Sequence, residues 1–567
     1  MLRFRFAALA ILTTLAFAVL APVAAHSAQA APGDLCFKET GQCINGRFRE
    51  YWERNGGLAV FGFPITAARN ERNRDTGQSY LTQWFERNRF ELHPENKAPY
   101  DVLLGRLGDD RLTQFGVNWK KEGRASQQNG CLFFAETGHN VCDQANGLGF
   151  KTYWSTHGLE FDGKRGVSFP ESLALFGLPL TEPRMEINTS GDRVLTQWFE
   201  RARFEWHPAQ RDPAFRVLLG RLSSEVRNPQ TAYRLPTNVP WVYQDNKVVA
   251  LTNGAPQFDV PRSDPNNQPA EIQVAPNGKL LSYTERTASG EQYLVVLYLE
   301  SGYKRVLPVA SNGIILGGMW SPDSRQYMYT VIYQSRDTRY ELRLFDVESS
   351  AVAIRRNETA NNVPLPLLWN ASGAYLTNII FASDAPSSDI LKVDPQTGRL
   401  ETLAQGPHYG TAISADGRKI AMVTGEYPLG EAPKLALTVL DRTTGRTQTI
   451  VPQAAQYISS LRWSPDGTKL VHVRTAINDT QASGIYVTNP DGSGEQMLRL
   501  DSGAFPGALE DVAWRNNGAL LVMTQDGPRN LSVFEVPLSN FHPAQAKTLQ
   551  TIGRDSDFWG IFVYVPR

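Results

Sequence analysis

The chain has 567 residues, of which 41% are apolar and 20% charged, with 57 basic side chains against 57 acidic ones. That length exceeds a single ordinary core, so two to four domains are expected. The balanced charge excludes the basic footprint of a nucleic-acid or acidic-lipid binder.

The first 30 residues read as a secretory signal. Arg3 and Arg5 supply the positive end, Phe6 to Leu20 the apolar core, and Ala28-Gln29-Ala30 a small-x-small cleavage site before Ala31. The competing reading is an uncleaved anchor, because the apolar run is long. Pro22 and the alanine-rich end fit a peptidase better than a bilayer. Cys36 follows Gly33-Asp34-Leu35 and lacks the small residues a lipoprotein signal needs. No other stretch is long enough to span a membrane, so no integral span is expected after cleavage.

Residues 31–125 and 126–225 are two copies of one module. The first copy contains Cys36, Glu39-Thr40-Gly41, Tyr51-Trp52, Phe61-Gly62-Phe63-Pro64-Ile65-Thr66, Gln83-Trp84-Phe85-Glu86-Arg87 and Arg89-Phe90-Glu91-Leu92-His93-Pro94. The second contains Cys131, Glu136-Thr137-Gly138, Tyr153-Trp154, Phe176-Gly177-Leu178-Pro179-Leu180-Thr181, Gln197-Trp198-Phe199-Glu200-Arg201 and Arg203-Phe204-Glu205-Trp206-His207-Pro208. An extra stretch near Gly158–Val167 belongs to the second copy alone. Short amphipathic helices are expected over Asn45–Asn55 and Asn146–His157, each anchored by its Trp. The four cysteines, Cys36, Cys43, Cys131 and Cys142, suit disulfides in an exported protein. Of three possible pairings the repeat favours Cys36–Cys43 and Cys131–Cys142. Their spacings are not those of a zinc site.

The F-G-x-P turn and Q-W-F-E-R strand are similar to LGFP repeats over about forty residues per copy. Phe61 and Phe176 stand where that family has leucine, and the usual tandem array is absent. The resemblance implies attachment to the cell envelope or a cell-wall polysaccharide. Trp84 and Trp198 could stack on a pyranose face, the alternative being that they are core residues. Glu91 with His93, and Glu205 with His207, are two apart and so share one side of a strand. Such a pair could contact glycan, bind metal, act as acid and base, or simply form a structural ion pair. No third ligand accompanies either pair.

Residues 226–240 turn polar and proline-bearing, as a semi-rigid linker does. From 241 to 567 the chain repeats a strand–turn–strand unit. Its turns are Ala275-Pro276-Asn277-Gly278, Ser321-Pro322-Asp323-Ser324, Asn370-Ala371-Ser372-Gly373, Ser414-Ala415-Asp416-Gly417, Ser464-Pro465-Asp466-Gly467 and Arg515-Asn516-Asn517-Gly518. Counted at the third residue they step by 46, 49, 44, 50 and 51. Trp320, Trp369, Trp463 and Trp514 stand just before four of them. Pro465 pre-sets the first central position of its turn, Asp466 suits the second, and Gly467 accepts a left-handed backbone. Ser324 replaces that glycine, at about 1 kcal/mol if φ stays positive. Self-similarity at this period, with four strands per unit, indicates a β-propeller.

The W-S-P-D-G turn resembles the blade signature of TolB-type, WD40-like bacterial propellers. The resulting fold class is mainly β: a propeller preceded by two small, duplicated α+β modules bearing disulfides. Six blades are expected. The 241–251 hairpin and the 558–565 strand should join, either completing the sixth blade or forming part of a seventh.

No G-x-S-x-G elbow, H-E-x-x-H, phosphate loop or dinucleotide fingerprint occurs, and His408 and His472 are isolated. No cofactor is implied. The reading is an exported, non-catalytic binding or scaffold protein, held to envelope or polysaccharide by its modules and presenting the propeller to envelope proteins. The alternative is an extracellular enzyme, of hydrolase or lactonase type, with its site in the propeller funnel.

Overall fold

The computed structural model describes residues 33–228 and 239–564, apart from 245–246, 252–256, 263–265, 310–311, 334–338, 360–361, 381–387, 427, 429–430, 478–481, 500–504, 506, 527–529 and 554–560. The expected signal segment (1–30) lies outside the described residues. So do residues 229–238 of the expected linker and residues 558–560 and 565 of the expected closing strand.

Each N-terminal module opens with a disulfide-tied hairpin. In the first, β1 (Leu35–Phe37) pairs with β2 (Gln42–Ile44), and Cys36 faces Cys43 at a Cα separation of 4.0 Å. Helices α1 (Gly46–Arg54) and α2 (Gly57–Phe61) follow. Then comes a sheet in the order β3 (Arg69–Arg72), β4 (Ser79–Trp84), β5 (Arg89–Leu92), β6 (Val102–Leu104), and helix α3 (Leu107–Gln114).

The second module repeats the plan. Its hairpin pairs β7 (Leu132–Phe134) with β8 (His139–Val141), and Cys131 is bonded to Cys142. A small ribbon, β9 (Asp143–Ala145) and β10 (Leu148–Gly149), precedes α4 (Phe150–Thr156) and α5 (Phe169–Phe176). The sheet β11 (Arg184–Ile187), β12 (Arg193–Trp198), β13 (Arg203–Trp206), β14 (Val217–Leu219) and helix α6 (Leu222–Arg227) complete it. Ser168 and Glu171 cap α5 reciprocally.

The two modules share one core, in which Phe61, Phe85 and Phe90 pack with Phe176, Phe199 and Phe204. Gly108 marks a close approach between them. Its N–H donates to the Glu200 carbonyl, and a Cβ there would stand 1.9 Å from the Phe199 carbonyl oxygen, so only glycine fits.

The remaining strands form seven four-stranded antiparallel units. The first contains β15 (Trp241–Gln244), β16 (Lys247–Ala250) and β17 (Gln257–Asp259), and its fourth strand is Ile561–Tyr564 from the far end of the chain. The second is β18 (Gln268–Val274), β19 (Leu280–Arg286), β20 (Gln292–Tyr298) and β21 (Tyr303–Pro308). The other five span residues 313–359, 362–404, 410–451, 456–499 and 508–553. One strand, Arg446–Trp463, serves as the outer strand of the fifth unit and the inner strand of the sixth. Strand Ile561–Tyr564 lies against β18 on one side and Ala508–Asn516 on the other, so the ring closes. The C-terminal half is a β-propeller.

Where six blades are expected, the described strands thus give seven units. Lys547–Gly553 already completes the last turn-bearing repeat, and the terminal hairpin has β17 as its own outer strand. The tryptophans before the turns bolt neighbouring units together. Trp320 donates to Ser282 Oγ (3.0 Å), Trp463 to the Ala412 carbonyl (3.0 Å) and Trp514 to the Arg462 carbonyl (3.2 Å). Each acceptor sits in the preceding unit. Trp369 is half-buried at the corresponding place. Asp466 braces its own turn, accepting from Ser464 Oγ and the Thr468 N–H, and Gly467 takes φ 69°.

Candidate functional site

The residues offered for glycan binding lie in a polar cage that the duplication builds twice. In the first module the Trp84 indole donates to Glu71 (2.8 Å), and the Arg89 guanidinium covers its ring at 5.1 Å. In the second, Trp198 donates to Glu186 (3.0 Å) beneath Arg203, also at 5.1 Å. Arg89 pairs with Glu91 and Arg203 with Glu205, both at 2.5 Å. His93 reaches Glu91 at 3.3 Å and His207 reaches Glu205 at 3.4 Å. Asn73 and Asn188 donate to the same two carboxylates.

Trp84 and Trp198 are both buried. Their ring faces are covered by arginine and core, which is the packing role rather than an open stacking platform. Glu91, His93 and Glu205 are buried too, and His207 is half-buried. Each Glu-x-His pair shares one side as expected, and each carboxylate is already engaged by an arginine and an asparagine. Burial pushes the Glu205 carboxyl up, but the Arg203 charge and hydrogen bonds from Asn188, Arg203 and His207 outweigh it and hold the group below the usual carboxylate range.

The second cage is also a seam. β21 of the propeller lies along β11, with Arg305 opposite Glu186, so the module sheet and the second propeller unit form one eight-stranded sheet. Tyr303 donates to Glu186 Oε1 (2.6 Å), accepts from Arg184 Nη2 (2.9 Å) and stacks on Phe115 at 4.4 Å between ring centroids. Burial, with Glu186 alongside, raises the Tyr303 phenol well above its ordinary range, so it remains a donor. Trp84, Leu107, Phe115 and Trp198 belong to the same core as Leu294, Val296 and Trp320. Sequence reasoning missed Arg184, Glu186 and Tyr303. The available signal was that Arg184-x-Glu186 repeats Arg69-x-Glu71 outside the recognised motif.

No family model and no curated relative matches the chain. Among solved structures it is similar to TolB from Acinetobacter baumannii, at 14% identity over 56% of this chain and 79% of that one (TM-score 0.33). It is also similar to the periplasmic gluconolactonase of Pseudomonas aeruginosa, at 15% identity over 58% and 100% (TM-score 0.39). A third is the propeller domain of the Trilobed protease from Pyrococcus furiosus, at 12% identity over 47% and 82% (TM-score 0.36).

Around the propeller axis, the innermost strands share a bulge at one position. Glu271, Gly317 and Ser460 hold φ of 51°, 74° and 51°, each three residues before Val274, Trp320 or Trp463. Arg462 donates to Asp511 (2.8 Å), tying two inner strands. Both histidines are buried: His408, in the loop between Leu400–Ala404 and Gly410–Ile413, has its Nδ1 against the Ser388 carbonyl, and His472, in strand Leu470–Ala476, accepts from Arg474 at Nε2.

A cleft of about 510 Å³ opens where the end of α3 overhangs two propeller turns, with Lys279, Glu300, Asp323, Arg325 and Glu348 on its walls. Its charges are mixed, and no single ligand charge is favoured. Two groupings among the described residues are close enough to share a cation. In one, Cys36 and Cys43 are already a disulfide. In the other, Glu160, Asp162 and Glu171, the Glu171 carboxylate is taken up by the N–H groups of Phe161 and Ser168. Among the described residues no helix is long and apolar enough to cross a membrane.

Proposed function

We propose that the chain is an exported, non-catalytic binding protein whose module pair attaches it to the cell envelope or a wall polysaccharide while the propeller meets a protein partner. The observation that carries the reading is the seam between β11 and β21, with Tyr303 clamped by Arg184 and Glu186. Modules welded to the propeller hold whatever each half binds at a fixed distance and angle, which is what a scaffold needs. Two disulfides fit an oxidising compartment outside the cytosol. With the sugar-stacking faces of Trp84 and Trp198 covered, a glycan would meet the outer surface of the modules rather than these rings.

The test is co-sedimentation of the intact, oxidised chain with isolated envelope from the source cell, with and without soluble wall glycan. The intact chain is required because separating the halves would split a shared core. Pelleting that soluble glycan reverses supports attachment through carbohydrate. A protein that stays in the supernatant overturns the attachment reading.

The second reading, an extracellular enzyme, is favoured by the acidic side chains Glu271 and Asp511 on the innermost strands. Turnover of lactone or ester substrates that disappears in Glu271→Gln or Asp511→Asn would support it.

A further inference from the structure

The duplication places two equivalent strand edges in one molecule, one occupied and the other without a partner strand among the described residues. β3 and β11 hold the same register on their neighbours: Arg69 faces Thr82 and Glu71 faces Tyr80, just as Arg184 faces Thr196 and Glu186 faces Val194. Both carry the same clamp. Arg69 Nε donates to Glu71 at 2.6 Å, and Arg184 Nε donates to Glu186 at 2.6 Å. In each module the buried tryptophan fixes the glutamate from behind.

In the second module the outer side of the strand is filled by β21, and the clamp closes on the Tyr303 hydroxyl. The Arg305 guanidinium adds a bond to the Met185 carbonyl (3.3 Å). In the first module, β3 ends its sheet among the described residues, with β4 as its one neighbour. Exposure records the difference. Arg184 and Glu186 side chains are each 5% exposed, whereas Arg69 is 60% and Glu71 22% exposed. An edge strand with unpaired backbone groups is a template for another strand, and flanking side chains decide which one.

We propose that β3 is a docking edge for an extended segment of a partner protein that carries a tyrosine, which enters the Arg69–Glu71 clamp as Tyr303 enters its counterpart. A second copy of this chain does not supply that segment. Its β21 is held by its own β11, and the outer strands of its other described units carry no tyrosine where they act as outer strands. Tyr457 lies in the part of Arg446–Trp463 that is the inner strand of the sixth unit and pairs with Thr475. The exposed Arg69, Asn70 and Arg72 give the edge a net positive character, so an acidic residue flanking the tyrosine strengthens the match. This inference stands apart from what the modules attach to, and its failure would leave the envelope-binding reading untouched.

The test uses a fluorescent nine-residue peptide with the sequence of residues 301–309 carrying Lys304→Glu, which keeps the one tyrosine-bearing strand known to fit such a clamp and gives it the acidic neighbour the edge favours. A photo-crosslinker sits at its end, and the target is the full oxidised chain. The expected result is saturable binding, cross-links to residues 69–72, and about tenfold weaker binding when the peptide tyrosine is replaced by phenylalanine. Arg69→Ala should weaken binding by a similar factor with an unchanged melting temperature, because that side chain is exposed and the Trp84–Glu71 bond remains. Absence of saturation overturns the proposal. So do cross-links confined to residues 184–187, which would mean exchange with β21, or equal binding of the phenylalanine peptide.

Discussion

Ser324 sits where the blade turn calls for glycine, and its φ is 60°. Its hydroxyl accepts the Asn277 N–H (2.9 Å) from the preceding unit, so the strain of a left-handed serine is offset by a bond between blades. Ser324→Gly removes both and should change stability by less than about 1 kcal/mol. Ser324→Ala keeps the strain and loses the bond, so it should cost about 1–2 kcal/mol, read from denaturant midpoints. An alanine variant no worse than the glycine variant would show that the hydroxyl does nothing. His472 gives a second residue-scale test. Burial, reinforced by the Arg474 charge, pushes its pKa down to about 3 from the usual 6.5. Its contacts are Arg474 and the Tyr486 ring, and it is built neutral. The unfolded chain takes up this proton as pH falls below 6.5 while the folded chain does not, so stability present above 6.5 is lost progressively between 6.5 and about 3. His472→Phe should flatten that acid limb in melting temperature against pH; an unchanged slope would clear His472 of the effect. At this scale the sequence was legible where a residue's job is local. Asp466 and Gly467 could be assigned from turn chemistry alone. Trp84 and Trp198 could not, because an indole in a repeated motif reads the same whether its face meets a sugar or an arginine.

Disulfide hairpins are local elements, and the pairing of Cys36 with Cys43 follows from the repeat before any coordinate is known. Each bridge ties a short ladder: β1 to β2, and the ends of β7 and β8. Closing a loop of separation 7 removes about 2–3 kcal/mol of unfolded-chain entropy. Replacing both Cys36 and Cys43 by serine should therefore lower the stability of the oxidised protein by about that much, and an unchanged unfolding midpoint would show that the hairpin holds without its bridge. The helices at Gly46–Arg54 and Phe150–Thr156 fall within the expected segments because an amphipathic stripe is a sequence property. The seventh propeller unit was harder to read for a definite reason. Its inner strand, Ile561–Tyr564, and its second strand, β15, come from opposite ends of the chain, so no turn joins them and the W-S-P-D-G mark cannot occur there. The long shared strand Arg446–Trp463 hides a boundary in the opposite way, since no loop separates the two units it serves.

At the scale of the whole molecule, the contacts between modules and propeller turn three sequence segments into one body. Periodicity tells which residues of a strand face inward, but not which edge of one sheet meets which edge of another, so the β11–β21 seam had no sequence signature of its own. The seam is nonetheless where stability should be coupled. Tyr303 joins a clamp of two buried charged groups, a stacked Phe115 and a core continuous from Trp84 to Trp320. With that core intact the modules and the adjoining propeller units should unfold together, giving a single calorimetric peak. Tyr303→Ala opens a cavity and leaves the Arg184–Glu186 pair without its third member, which should cost about 3–5 kcal/mol. It should also split the transition in two, with the modules melting first because their own cores are small. Tyr303→Phe preserves the ring and loses only the hydroxyl. It should lower the melting temperature by less and keep one peak, separating the packing of the ring from its two hydrogen bonds. Two well-separated peaks in the native protein would mean that the modules fold on their own and that the seam is a contact between finished domains rather than part of a common core.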